Sequence, residues 1–431
     1  MSNFLRMFAA SLLLAAVAAP APANAQIVVR MWTLLGGGDG ERMRALVEEF
    51  NASQKDAKVE VTTLNWGEPF YTKVMTTTAV GAGPDLVTIH LSRMANLIGA
   101  QTVRALSASE LATAGLSGSD FYPRLWRKAA PQGTAYAVPL DSHALVLYYN
   151  KELARRAGLL EPDGTLKSVK GMAVLTDAFR AVKEKTGMQG VTMESGPNSH
   201  LIWRLWLSLL AQRGATLIND KRFSYGKHGE IALAAVSDWF ARGYASRGLD
   251  YPAATSQFIS GKAGFMINGV WEVPSLVAAA AKPGAFEYGV VPLPQLYANA
   301  SVWGDSHAFA VPNNAGKPVA PARLAATLKF VAFMGRNALA WAGGGHIPAD
   351  VAVAESAPAR ALHPNASYAR AVAANVVYDP DGWYAGAAGP LQTSSAKFLP
   401  AALSGQLTPA RALSMFEAEA GKLLVRRQPK P

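Results

Sequence analysis

Short β-rich runs alternate with amphipathic helical ones through most of the chain, a pattern that builds mostly parallel sheets covered by helices on both faces. The first unit is explicit. Ile27 to Trp32 reads as a buried strand, Gly36-Gly37-Gly38 as a turn, and Glu41 to Phe50 as a helix carrying Met43, Leu46, Val47 and Phe50 on one face. Val59 and Val61 then alternate with polar neighbours as a strand, and Phe70 to Val80 reads as a helix. Gly81-Ala82-Gly83-Pro84 breaks that helix before a strand from Leu86 to Leu91. Strand, helix, strand, helix, strand makes one α/β lobe.

The chain of 431 residues exceeds one compact core at about 100–200 residues per domain, so two lobes are expected. Near residue 140 two strand-like pieces, Tyr136 to Pro139 and Ala144 to Tyr149, flank the polar trio Asp141, Ser142 and His143, as suits an interdomain crossover. Downstream, helices are predicted at Val174 to Thr186, Leu201 to Arg213, Ile231 to Arg242 and Ala322 to Met334. Strands are predicted at Gly264 to Asn268, Tyr288 to Val291 and His307 to Val311. The last helix starts with Thr408 as N-cap and Pro409 at the first helical position and runs to Leu424. No internal repeat, low-complexity tract or long linker separates these elements, so the lobes should be joined by crossovers at a hinge. The expected division is a signal peptide over 1–25, one lobe from 26–139 plus 303–345, a second from 144–300 plus 346–431, and hinge crossovers near 140–143 and 301–307.

The signal-peptide reading rests on Arg6, the apolar run Met7 to Ala19 and the small-x-small pattern Ala23-Asn24-Ala25, which place the mature start near Gln26. That run falls well short of the roughly 20 residues of a transmembrane helix, and no later segment reaches that length. With no cysteine in the chain, disulfides, thiolate metal sites and a lipid-anchored cysteine are excluded, and a freely diffusing periplasmic monomer is expected. The net charge of +11 becomes +10 on loss of Arg6, but the basic residues are scattered. Only Arg426-Arg427-Gln428-Pro429-Lys430 is dense, and it reads as a solvated end. Neither a nucleic-acid partner nor membrane insertion is expected.

Catalytic signatures fail on spacing. No HExxH pair exists and the seven histidines are dispersed, so no metal or other cofactor is expected. The glycines at 36–40 and 81–83 fit neither GxGxxG nor GxxxxGK, and no GxSxG elbow occurs. Ser394-Ser395-Ala396-Lys397 fits SxxK and Lys185-Thr186-Gly187 fits KTG, but in reversed order, without an SxN element, and with Gly187 placed as a helix C-cap. Asp141, Asp305 and Glu272 keep a secreted glycoside hydrolase or lyase open as the rival reading.

Aromatic residues able to stack on sugar faces recur near strand ends: Trp32, Trp66, Trp271, Trp303 and Trp383, where ligands bind in α/β sheets. Trp203, Trp206 and Trp239 are assigned mainly to helix packing, with Trp203 near enough to its helix start to reach a cleft. Leu140-Asp141-Ser142-His143 and Trp303-Gly304-Asp305-Ser306-His307 both carry Asp-Ser-His. Two such trios at two crossovers would set acids and imidazoles at the floor of one interlobe cleft, as hydroxyl ligands require. Arg93 and Arg204 keep an anionic solute such as a phosphorylated polyol open.

The chain resembles the extracellular solute-binding proteins of ATP-binding-cassette sugar importers, the maltose-binding-protein-like family. The resemblance is carried by Val28 to Phe50, Gly83-Pro84-Asp85-Leu86, Tyr136 to Asp141, Tyr148-Tyr149-Asn150-Lys151, Phe258 to Trp271 and Tyr288 to Pro294. It implies two hinge-connected α/β lobes of the type II periplasmic binding protein fold, a carbohydrate ligand, permease subunits as partners and no catalysis. It implies ligand-binding roles for Trp32, Asp39, Trp66, His90, Arg93, Asp141, His143, Asn198, Trp203, Asn268, Trp271, Trp303, Asp305 and His307. The glycine-rich first loop and the Asp-Ser-His crossover depart from maltose-binding protein, which argues against maltose itself as ligand.

Overall fold

A computed structural model describes residues 26–428. The expected signal peptide and the last three residues of the basic tail lie outside the described residues. In chain order the strands are β1 (Ile27–Thr33), β2 (Ala57–Thr63), β3 (Leu86–His90), β4 (Val138–Pro139), β5 (Asp141–Asn150), β6 (Gln189–Thr192) and β7 (Ile218–Asn219). They continue with β8 (Arg222–Phe223), β9 (Ala263–Gly269), β10 (Tyr288–Pro292), β11 (Val302–Asp305), β12 (His307–Ala310), β13 (Ile347–Pro348) and β14 (Val376–Val377).

Two helix-covered sheets carry the architecture. The first has the order β2-β1-β3-β12-β4, with β1 parallel to β2 and β3, and β12 antiparallel to β3 and β4. The second runs β14-β11-β5-β9-β6, with β10 and β13 also paired to β5. Here the mostly parallel pattern expected from the sequence gives way, because the long β5 pairs antiparallel with β9, β10, β11 and β13 in turn. A strand that leaves one lobe and traverses the next meets its neighbours head to tail.

Each sheet has its own core. In the first, the helix Gly37–Ser53 buries Met43, Leu46, Val47 and Phe50, the i, i+3, i+4, i+7 stripe of an amphipathic helix. Phe50 meets Phe330 edge-on at 5.2 Å, and burial of such a side chain contributes about 1.5–3 kcal/mol. This helix starts at Gly37, four residues ahead of the expected Glu41, so two of the three turn glycines lie in its first turn. In the second core the helix Leu201–Gln212 buries residues on every face, since it is enclosed by β11 and by the helices Gly226–Ala241 and Pro390–Ser404. The final helix, Pro409–Val425, is capped by the Thr408 hydroxyl, which accepts from Arg411 N at 3.2 Å. Gly187 ends the helix Met172–Thr186 with φ +74°, as its place in the sequence implied.

The chain passes between the cores three times in one narrow strip. At the first pass Asp141, Ser142 and His143 form the start of β5 instead of interrupting two strands. Asp141 and Ser142 pair with Pro348 and Ile347, and His143 and Ala144 with Asp305 and Gly304. Leu140 N donates to His307 O at 2.8 Å and Ala349 N donates to Leu140 O at 3.2 Å, so the three passes are laced to one another.

Candidate ligand-binding site

A cavity of about 740 Å³ opens between the two sheets, over these crossovers. Leu34 to Asp39 and Trp66 to Pro69 form one wall; Glu194, Asn198, His200, Arg204, Tyr251, Trp271, Glu272 and Trp303 form the other; His90, His143 and His307 contribute the floor. The floor is reached because β3, β5 and β12 each place an imidazole there: His307 stands opposite His90, and His143 opposite Asp305.

Beneath the floor, Asp141 is fully buried and organises the imidazoles. Its Oδ1 accepts from His307 N at 2.9 Å and lies 3.1 Å from His143 Nδ1; its Oδ2 accepts from Trp341 Nε1 at 2.7 Å and lies 2.8 Å from His307 Nδ1. Burial opposes ionisation of this carboxyl, yet His307, His346 and the bonded ring nitrogens hold it well below the usual carboxylate range. His346 lies between two acids, with Nε2 3.0 Å from Asp39 Oδ1 and Nδ1 3.5 Å from Asp141 Oδ2. Although burial works against its charge, Asp39 and Asp141 raise His346 to about 9. Burial and the nearby His307 lower His143 to about 3, and His90 is likewise held well below its ordinary value. The floor thus presents His90 and His143 as neutral imidazoles beside a buried ion pair of Asp141 and His346.

The walls are aromatic and polar. Trp66 is 41% exposed and stands edge-on to His90 and His200 at 6.1 and 6.0 Å. Trp271 and Trp303 meet edge-on at 6.4 Å, with the Arg204 guanidinium over both rings at 5.1 and 4.9 Å. Arg204 Nε is buried without an acceptor. Trp271 Nε1 donates to the Tyr251 hydroxyl at 2.7 Å, which bonds the Glu272 carboxyl; burial raises the latter's pKa. Apolar ring surface beside convergent donors and acceptors suits a polyhydroxylated ligand.

Of the residues selected from the sequence, Asp39, Trp66, His90, His143, Asn198, Trp271, Trp303 and His307 line this cavity. The others lie elsewhere. Trp32 packs on the first core beneath Lys73. Arg93 is buried against the Tyr71 ring, bonds Asn96 Oδ1 at 2.8 Å and lines a separate cavity. Trp203 is fully buried and donates to Asp379 Oδ1 at 2.8 Å, because its helix has no exposed face. Asn268 Oδ1 accepts the Gly269 amide within its own strand. Asp305 is fully buried and accepts from Ser92 N, Ser92 Oγ and Ser306 N, and burial raises it to about 6. Asp141 lies under the floor. Glu68, Glu194, His200 and Tyr251 line the cavity without having been selected, as does Arg204, noted in the sequence only for its charge. His200 and Arg204 share a helical turn with Trp203, and Tyr251 follows the N-cap Asp250; such positions at helix starts were the available signal.

Two buried groups have ligand atoms within 4.8 Å of one another: Asp141, His143, His307 and His346, and His90, His143 and Asp305. The carboxylates in both are already engaged by N–H and O–H donors. The imidazoles are therefore the groups with capacity left for a further ligand.

Two lobes enclosing a cleft over hydrogen-bonded crossovers define a two-lobed binding protein. The chain belongs to the bacterial extracellular solute-binding protein family, whose pattern matches residues 37–340. Its fold is similar to that of maltose-bound MalE3 of T. maritima, with a TM-score of 0.76 or above in each of three cases: 0.79 at 19% identity for MalE3, over 93% of this chain and all of that one. The GacH receptor of Streptomyces glaucescens, solved unliganded and with acarbose, matches at TM-score 0.76 and 21% identity, over 93% of this chain and 98% of that one. An ABC transporter solute-binding protein of Thermotoga lettingae bound with α-D-tagatose matches at 0.76 and 20%, over 93% and 100%. At these identities the likeness establishes the fold. No helix among the described residues is long and apolar enough to cross a membrane.

Proposed function

We propose that the chain is the periplasmic substrate-binding component of an ABC importer, secreted through a cleaved signal peptide, which captures a mono- or oligosaccharide between its lobes and delivers it to the membrane permease. The observation that carries this reading is the cavity itself. Its volume of about 740 Å³ falls within the roughly 300–1,000 Å³ of small-molecule sites, and Trp66, Trp271 and Trp303 share its walls with acids and imidazoles. The floor imidazoles His143 and His307 are anchored through Nδ1 by the Asp141 carboxylate, and His90 by the Tyr71 hydroxyl. The domains on either side of the crossovers act as the closing lobes, and ligand favours closure through contacts that exist only when both walls are engaged. Family membership and three neighbours whose names mention sugars support a carbohydrate.

The test is intrinsic tryptophan fluorescence and melting temperature of the mature protein against a carbohydrate panel, with each responding sugar recovered afterwards. Saturable shifts with intact sugar are expected. Turnover of the sugar would replace this reading with a hydrolase, and silence across the panel would move it to a non-carbohydrate solute.

A further inference from the structure

Among the described residues, Arg204 is the one arginine or lysine that lines the cavity. It stands in the first turn of the helix Leu201–Gln212, partly buried, with its guanidinium over the Trp271 and Trp303 rings at 5.1 and 4.9 Å. Ring faces hold a guanidinium in place without neutralising it. No carboxylate among the described residues pairs with it and no acceptor meets its nitrogens; the acids that bear on it, Glu194, Asp379 and Asp305, act through space alone. Each of those acids is engaged elsewhere. Glu194 Oε2 accepts from Ser199 Oγ at 3.0 Å and from Leu201 N at 3.2 Å, the two oxygens of Asp379 accept from Trp203 and Trp303 Nε1, both at 2.8 Å, and Asp305 accepts from Ser92 and Ser306. Arg204 Nε is closed off in the wall, so its two Nη atoms are the donors left to the cavity. His200, four residues earlier and thus on the same face, also lines the cavity, and its Nδ1 is buried without a partner.

Resting on the carbohydrate reading above, we infer that the captured saccharide carries a carboxylate, as a uronic or aldonic acid residue, and that the Arg204 fork receives that carboxylate beside His200. The planar guanidinium matches a carboxylate with two parallel N–H···O bonds, and a cation withdrawn from water is costly unless it is paired. Neutral sugar hydroxyls can accept from Nη, but they leave the charge uncompensated once closure expels water. The charge count favours a carboxylate over a phosphate monoester, which carries about −1.5 to −2 at pH 7 against one guanidinium. No further cation is supplied by His90, His143 or His200, because burial lowers all three, the last to about 4. The acids that face the site oppose a doubly charged ligand most. Of these, Asp39 is paired with His346, Glu272 is bonded to Tyr251 and raised by burial, and Glu194 is engaged as above, which leaves the exposed Glu68 on the opposite wall.

The test is calorimetric titration of the mature protein with glucuronate, galacturonate, mannuronate and their dimers, each beside the neutral sugar of the same configuration and the uronate methyl ester. Gluconate beside glucitol, and the sugar 6-phosphates, complete the panel. A carboxylated sugar should bind at least about tenfold more tightly than its neutral counterpart and its ester, the size expected for a hydrogen bond to a charged group. Arg204→Gln should abolish that preference, and Arg204→Lys, which keeps the charge but not the fork, should retain only part of it. Neutral sugars that bind as tightly as every acid would overturn the inference and leave the carbohydrate reading standing. Preference for the 6-phosphates would overturn the carboxylate, and a preference that survives Arg204→Gln would overturn the role of that residue. Silence across the whole panel would overturn both this inference and the carbohydrate reading. Should Arg204→Gln fail to fold, acid and ester are compared on the unaltered protein, where equal binding overturns the inference.

Discussion

Asp141 illustrates how one buried carboxylate sets the acid–base behaviour of the floor. Its pKa is depressed, so its contribution to stability is complete above its unfolded value near 3.8 and is lost as pH falls below it. His90 and His143 are also depressed; below their unfolded value of 6.5 the unfolded chain takes up protons that the folded one refuses, and stability falls. His346, raised to about 9, contributes fully below 6.5 and loses that contribution as pH rises through about 9. Asp305, raised to about 6, acts in the opposite sense to the other acid-limb groups and softens the decline below pH 6. Melting temperature should therefore peak near pH 6.5 and fall on both sides; a flat profile from pH 5 to 9 would contradict the ion pair beneath the floor. At the wall, Trp66→Ala should weaken ligand binding about tenfold or more, as loss of an aromatic anchor costs about 1–3 kcal/mol. Melting temperature should barely change, because the ring is 41% exposed. Equal loss of stability and affinity would place the ring in the core instead. The sequence identified this tryptophan and the three floor histidines, but not the burial of Asp141 and Asp305. Which face a carboxylate takes depends on register between segments more than 150 residues apart, and no local pattern encodes that.

Elements were legible wherever hydrophobic periodicity was strong, as in the helices at Gly37–Ser53 and Met172–Thr186 and in β1, β3, β9, β10 and β12. They were less so where packing overrode local signals. The helix Pro390–Ser404 carries Pro400 in its interior, a residue that ordinarily breaks a helix. The polar start of β5 resembled a loop because its hydrogen-bonding partners, β11 and β13, lie far along the chain. That strip yields a prediction about an element. A Cβ on Gly304 would stand 2.4 Å from Val376 Cγ2 and 2.6 Å from His143 O, so β11 cannot keep its register with β5 beneath a larger residue. Gly304→Ala should cost about 1–3 kcal/mol, the usual range for overpacking, measured by urea denaturation. A neutral outcome would show that β14 can withdraw freely.

At the scale of the whole molecule, Gly38, at the start of the first lobe's helix, stands directly against Pro274 of the second. A Cβ on Gly38 would lie 2.5 Å from Pro274 Cβ. Gly38→Leu should hold the lobes apart, weakening ligand binding about tenfold or more through a smaller closed population, and increasing the radius of gyration in small-angle scattering. Unchanged affinity would mean that closure does not bring these residues together. The glycine-rich loop, read from the sequence as a turn, thus owes its composition in part to the opposing lobe. The order of the first sheet bears on how the polypeptide matures. Because β12 is inserted between β3 and β4, the amino-terminal third cannot assemble its sheet until a segment some two hundred residues later has emerged. A topology so rich in distant pairings folds slowly. Until β12 has been made, β3 and β4 lack the strand that joins them, so the first sheet is completed only late in synthesis.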